Sequence, residues 1–237
     1  MLVGLLAWMF TSFILASLIV ALVQWAVIKT GVAWIVLSDT VINTILAAVV
    51  YILTLAIVVG VPWLVRKSTT SKEEIGLTRL PSWIDILLAP AGFVVYFIAS
   101  GILTYTVTQL MPGFNSTQVQ QTGFEHIVQQ YEYLLAFVTL VVLAPVAEEI
   151  LFRGYLYGKL KKYVPTWVAI LATSALFGAV HGQWNVGLDV FALSIVLCSL
   201  REVTGGIWAG MLLHMLKNGI AFYLLFINTS ILDTIIK

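Results

Sequence analysis

Apolar residues run along this chain in blocks long enough to cross a lipid bilayer. Leu2 to Ile28 contains no charged residue, and Gln24 is its largest polar one. Thr40 to Val65 and Trp83 to Leu110 follow, the latter broken only by Asp85 near one end. Tyr133 to Lys162, Thr166 to His181, Val186 to Leu200 and Gly206 to Ile227 complete the series. A helix needs about 20 predominantly apolar residues to span the hydrocarbon core. The pattern therefore predicts an all-α fold, a polytopic membrane helix bundle of about seven to eight transmembrane helices. Seven are explicit; an eighth would lie in the Gln-rich segment 116–132 or in a break within the long last helices. Lys67 to Pro81 is too short to fold alone, so residues 1–237 read as a single transmembrane domain.

Composition agrees with the pattern. The chain is 61% hydrophobic and 10% charged, with a mean hydropathy of +1.03, against about 25% charged in soluble domains. A net charge of +1 offers no basic surface, so no nucleic-acid partner is expected. Cys198 is alone and cannot form a disulfide within the chain. No Lys or Arg precedes the first apolar block, which is longer than the roughly 7–15 residues of a signal-peptide core; it reads as a retained anchor. Basic residues mark orientation. Arg66, Lys67, Lys72 and Arg79 follow the second block, Lys159, Lys161 and Lys162 follow the fourth, and Arg201 follows the sixth, whereas residues 111–132 and 182–185 hold no Lys or Arg. These basic turns and the N-terminus are expected on the cytoplasmic side, with Lys29 the exception.

Against this background a few polar residues stand out. Glu148 and Glu149 end the apolar run Leu134 to Ala147, and Arg153 follows four residues later. Each charged group near the bilayer centre costs at least roughly 2.5–3.5 kcal/mol, so such a cluster points to a functional site. Glu149 and Arg153 are spaced for an ion pair on one helix face, and Glu148 points about 100° away. His181 closes the fifth block, and His214 and Asn218 share one face of the last. With the turn at residues 162–165 and about 1.5 Å of rise per residue, Glu148 and His181 both fall roughly 21–24 Å from it, at nearly one level. Gly154–Gly158, Gly178–Gly182 and Gly206–Gly210 each match a close-packing spacing. His126 reads as a solvated residue of the outer loop. Lys217 is unusual for its depth; it would snorkel, pair with a carboxylate or meet an acidic substrate terminus.

Three segments together resemble a known family. Glu148-Glu149-Ile150-Leu151-Phe152-Arg153, Phe177-Gly178-Ala179-Val180-His181 and His214-Met215-Leu216-Lys217-Asn218 are similar, in order and spacing, to the signatures of the CAAX-protease and bacteriocin-processing (Abi) membrane proteins. The likeness covers about residues 133–225. It implies an intramembrane glutamate endopeptidase acting on a small membrane-associated peptide or a prenylated or precursor protein. Glu148 and His181 would hold and deprotonate a water, His214 and Asn218 would donate to the oxyanion, and Glu149 and Arg153 would fix the geometry. No cofactor is implied. The lean loops suggest a bacterial cytoplasmic membrane.

Rival readings stay open on the sequence. Glu149–Arg153 can be a structural clamp, and His214 and Asn218 can simply bond neighbouring helices. Glu148, His181 and His214 are chemically adequate zinc ligands, although no helical His-Glu-x-x-His motif is present and Arg153 would oppose a cation. A non-catalytic membrane scaffold is the alternative outside enzymology. A transporter fits less well, because the polar residues form one cluster and no relay.

Overall fold

The computed structural model describes residues 2–30, 38–67, 69–118, 120–124 and 127–228. Among them the backbone forms eight helices and no strand. They are α1 (Leu2–Thr30), α2 (Asp39–Val65), α3 (Lys72–Ile75), α4 (Trp83–Leu110), α5 (Gln130–Leu160), α6 (Thr166–Ala179), α7 (Trp184–Thr204) and α8 (Trp208–Ile227). The protein is an integral-membrane helix bundle, and α1, α2, α4, α5 and α8 are long and apolar enough to cross a bilayer.

The seven long helices match the seven apolar blocks, but two fall short of the expected spans. α6 has 14 residues, about 21 Å of rise against a hydrocarbon core of about 30 Å. It stops at Ala179, and Gly182 then turns the chain with a φ of +70°, so His181 sits beyond the helix end. α7 has 21 residues, but Asp189, Arg201 and Glu202 interrupt its apolar character. The Gln-rich segment contributes no eighth helix: its described residues run without one as far as Gln129. They are tied down by Asn43 Nδ2 donating to the Gly123 carbonyl at 2.5 Å and Asn185 Nδ2 to that of Gln118 at 2.7 Å. His126 lies outside the described residues. The eighth helix is the single turn α3, where a plain loop was expected. Ser71 caps it by accepting from the Glu74 N–H, and Gly76 closes it with a φ of +81°.

α7 is the hub of one half of the bundle, packed on α4, α6 and α8, with Leu193, Leu197 and Ala209 fully buried between them. α5 is the hub of the other half and touches α2, α3, α6 and α8. The outward faces remain apolar, as at Leu22, Trp25, Phe97 and Ile102, which suits contact with lipid chains. The glycine pairs work differently from the expected helix–helix seams. A Cβ at Gly158 would lie 2.2 Å from the Glu74 carbonyl oxygen, and one at Gly154 2.8 Å from Ile75 Cγ2. Both therefore admit α3, not another spanning helix. Gly178 packs on Gly187 of α7, a Cβ there being 2.7 Å from its carbonyl oxygen, whereas Gly182 touches nothing and only turns the chain. Gly206 lies near the Gly76 carbonyl, and Gly210 lies against Glu149 Oε2.

Candidate active site

The site is organised by a helix that is not regular. Within α5, Val138–Leu143 and Glu149–Tyr157 are wound as π-helix, a wider turn with N–H to C=O bonds five residues apart. Pro145 explains the first stretch in part. The Ala144 N–H bonds the Thr139 carbonyl, which sets the five-residue register. In that register the Leu140 carbonyl would look to residue 145, and proline has no N–H to give. Asn218 fills the gap: its Nδ2 donates to the Leu140 oxygen at 2.8 Å. One amide hydrogen of Asn218 thus bonds α8 to α5, and the second is left for other work.

The second π stretch presents the carboxylates. Glu149 and Arg153 are completely buried and paired, Arg153 Nη1 donating to Glu149 Oε1 at 2.9 Å. The same oxygen lies 2.9 Å from His214 Nδ1. A carboxylate accepts from both, so His214 carries a proton on Nδ1 and turns Nε2 outward. Nε2 lies 3.8 Å from Glu148 Oε2. The Arg153 guanidinium also covers the Phe177 ring, its Cζ 4.2 Å from the ring centre, a cation–π contact. Glu148, pointing away from this pair, is only partly buried.

His181 is fixed by its own turn. Its Nδ1 lies 2.7 Å from the Phe177 carbonyl oxygen, and a carbonyl can only accept. Nδ1 is therefore the protonated nitrogen, and in the neutral ring Nε2 is left as a base. The Phe177 ring meets the His181 and His214 rings edge-on, at 4.8 Å and 5.9 Å between centres. Glu148 and Lys217 are both within electrostatic reach of the His181 ring. The structure thus gathers Glu148, Glu149, Arg153, His181, His214 and Asn218 around α5, from two helices and one turn. Among the described residues no three His, Cys, Asp or Glu side chains are arranged to hold a metal ion.

Sequence reasoning missed two members of this neighbourhood. Tyr51 of α2 donates its hydroxyl to Glu148 Oε1 at 2.5 Å; a tyrosine in an apolar block gives no signal by itself. Asp189 of α7 settles the partner of Lys217, whose Nζ is 3.3 Å from Asp189 Oδ2. Tyr96 and Ser100 hydroxyls donate to the other oxygen of Asp189, at 2.7 Å and 2.6 Å. A lone Asp within the apolar run after Val186 was the available clue. Beside Gly182 a largely apolar cavity of about 780 Å³ opens between Val107 of α4, Met111 just beyond its end, and Ala179, Leu188 and Phe191 of α6 and α7.

Residues 130–220 match the family model described as type II CAAX prenyl endopeptidase Rce1-like. This segment is similar to that family. It contains all three signatures read from the sequence, and it starts after α1–α4. Of three curated relatives, one is named as a peptidase. "Putative membrane peptidase YdiL" of Bacillus subtilis is 26% identical over 147 residues, 62% of this chain and 56% of that protein. An "Uncharacterized 24.3 kDa protein" of Escherichia coli is 35% identical over 89 residues, 35% of this chain and 41% of the relative. "UPF0177 protein YxdF" of Lactococcus lactis is 33% identical over 90 residues, 38% of this chain and 49% of the relative. The chain spans about half the length of the curated relatives it matches. No solved structure matches.

Proposed function

We propose that this protein is an intramembrane endopeptidase of the CAAX type that hydrolyses a peptide bond in a small membrane-associated peptide or precursor. The observation that carries the reading is a cluster of acceptors: Glu148 Oε2 lies 3.8 Å from His214 Nε2, and the His181 ring, with its proton on Nδ1, is within electrostatic reach of Glu148. Amide hydrolysis needs an activated nucleophile, and among the signature residues no Ser or Cys stands in a triad. Water held by Glu148 and His181 attacks the carbonyl carbon, and Glu148 takes the proton. The tetrahedral oxyanion is met by the second Asn218 N–H and by His214 Nε2. His214 can donate there only as imidazolium, because Nδ1 already serves Glu149. Collapse breaks the C–N bond, and the proton on Glu148 passes to the leaving amine. Glu149 and Arg153 hold His214 in place. The basic segments that meet around α3 support a cytoplasmic face for that end of the bundle and for the N-terminus, in what we take to be a bacterial membrane.

The deciding experiment is cleavage of candidate membrane peptides by purified protein, wild type against Glu148→Gln, with and without a chelator. Activity that survives chelation and disappears in the variant establishes glutamate-dependent hydrolysis. Activity lost to the chelator and restored by zinc would replace this mechanism with a metal-dependent one. Equal complementation of a deletion strain by both proteins would replace it with the scaffold reading.

A further inference from the structure

We infer that Tyr51 is a positioning residue: its hydroxyl locks the Glu148 carboxylate so that one oxygen is held and the other is presented to the reaction. The inference rests on the protease reading above for its consequence, but its geometry stands alone. Tyr51 Oη donates to Glu148 Oε1 at 2.5 Å, and Oε2 faces His214 Nε2 at 3.8 Å. A phenol donating to a carboxylate makes a short, strong, charge-assisted bond. It also removes the rotational freedom that a partly exposed glutamate would keep. Among the described residues no other side chain donates a hydrogen bond to Glu148.

The ring that carries this hydroxyl is itself held. Phe13 of α1 meets Tyr51 edge-on, with centres 6.4 Å apart and planes at 86°. Phe13 also packs on Phe152 at 6.1 Å, and Phe152 meets Phe177 edge-on at 4.9 Å. Phe177 is the residue whose carbonyl fixes His181. One row of aromatic rings therefore runs from the support of Glu148 to the support of His181. Two of its members, Phe13 and Tyr51, belong to helices outside the segment that matches the family. The first helices are then more than a membrane scaffold: they set the angle of the base.

Tyr51→Phe keeps the ring and removes only the hydroxyl, which tests the inference. Two readings are needed. The first is the infrared carboxylate band of Glu148, isolated as the difference between wild type and Glu148→Gln; in the Tyr51→Phe background this band should move. The second is peptide cleavage, where kcat should fall roughly 10- to 100-fold, the loss expected for one hydrogen bond to a charged group, with KM little changed. Phe13→Ala, which loosens the ring without touching the hydroxyl, should move the same band less and lower kcat less. A Glu148 band unmoved by Tyr51→Phe would overturn the contact. A moved band with unchanged kcat would overturn the positioning role. A wild-type protein inactive on every peptide would sink the protease reading instead, and the band would still decide whether Tyr51 holds Glu148.

Discussion

Two polar clusters grip α5, and they are built on opposite terms. Around Glu149, ions meet ions in full burial: Arg153 and His214 share one Glu149 oxygen, and among the described residues Glu149 Oε2, Arg153 Nε and Arg153 Nη2 have no hydrogen-bond partner. Around α3, at the basic end, a largely buried carboxylate meets lysines that reach toward water, and a buried arginine meets backbone. Lys159 and Lys162 bond Glu74, and Arg201 donates to the carbonyls of Glu74, at 2.5 Å, and of Ile75. A bundle end needs a fastening that tolerates water. A hydrolytic site needs charge without water to screen it, so that each dipole acts at full strength. The first cluster is costly and chemically directed, and the second is spread over several partners, one of which, Lys162, reaches well into water.

The largest separation between them should appear in activity. Glu148→Gln keeps size and most hydrogen bonding but cannot take a proton, so peptide cleavage should fall by about 10²–10⁴-fold while the melting temperature in detergent stays near wild type. The matched change in the other cluster, Lys162→Gln, should leave the cleavage rate unaltered. An equal loss in both variants would mean that the site is not chemically distinct from the fastening.

Stability should reverse the ranking of Glu148 and its neighbour. Removing one partner of a buried ion pair leaves an uncompensated charge and costs about 3–5 kcal/mol. Arg153→Leu should therefore lower the unfolding midpoint strongly, whereas breaking the exposed Lys161–Glu202 pair should cost no more than about 1 kcal/mol. Parity between the two would show that water reaches Arg153.

Gly158 lies where the fastening touches α5. A Cβ there would stand 2.2 Å from the Glu74 carbonyl oxygen, and backbone has little room to yield. Gly158→Ala should cost roughly 1–3 kcal/mol, as overpacking does, and should free α3, read as faster proteolytic clipping between Lys67 and Pro81. Unchanged clipping would mean that α3 does not depend on this close approach.

The two clusters also differ in how far the sequence announces them. Long apolar blocks fix the helices, because a bilayer admits little else. Glu148, Glu149, Arg153, His214 and Asn218 are legible because a polar group inside such a block has few innocent explanations. The π winding of α5 was not legible, although Pro145 marks where regular α-helix must fail. Tyr51 was hidden because tyrosine is common in membrane helices, and its partner is 97 residues away. The spacing Gly154–Gly158 marked a close approach but did not name α3 as what approaches. A four-residue helix in a short polar loop carries no periodic signal, so nothing announced α3.

The smallest expected effect concerns acid and belongs to the fastening alone. Burial pushes the Glu74 carboxyl upward, but hydrogen bonds from Lys162 and Lys159 outweigh it and hold the group below its ordinary value of 4.5. A carboxyl depressed by folding adds stability that is present above its unfolded value and lost as pH falls through the folded one. Wild type should therefore lose melting temperature on acidification below 4.5 more steeply than Glu74→Gln, whose side chain does not titrate. Lys162 is more than half exposed, so added salt should screen the attraction and shrink the difference between the two curves. Parallel curves at low salt would show that Glu74 is held by its backbone contacts to Arg201, with the lysines contributing nothing. A difference that survives high salt would mean that α3 shields the pair from solvent and that the fastening is closer in kind to the buried site.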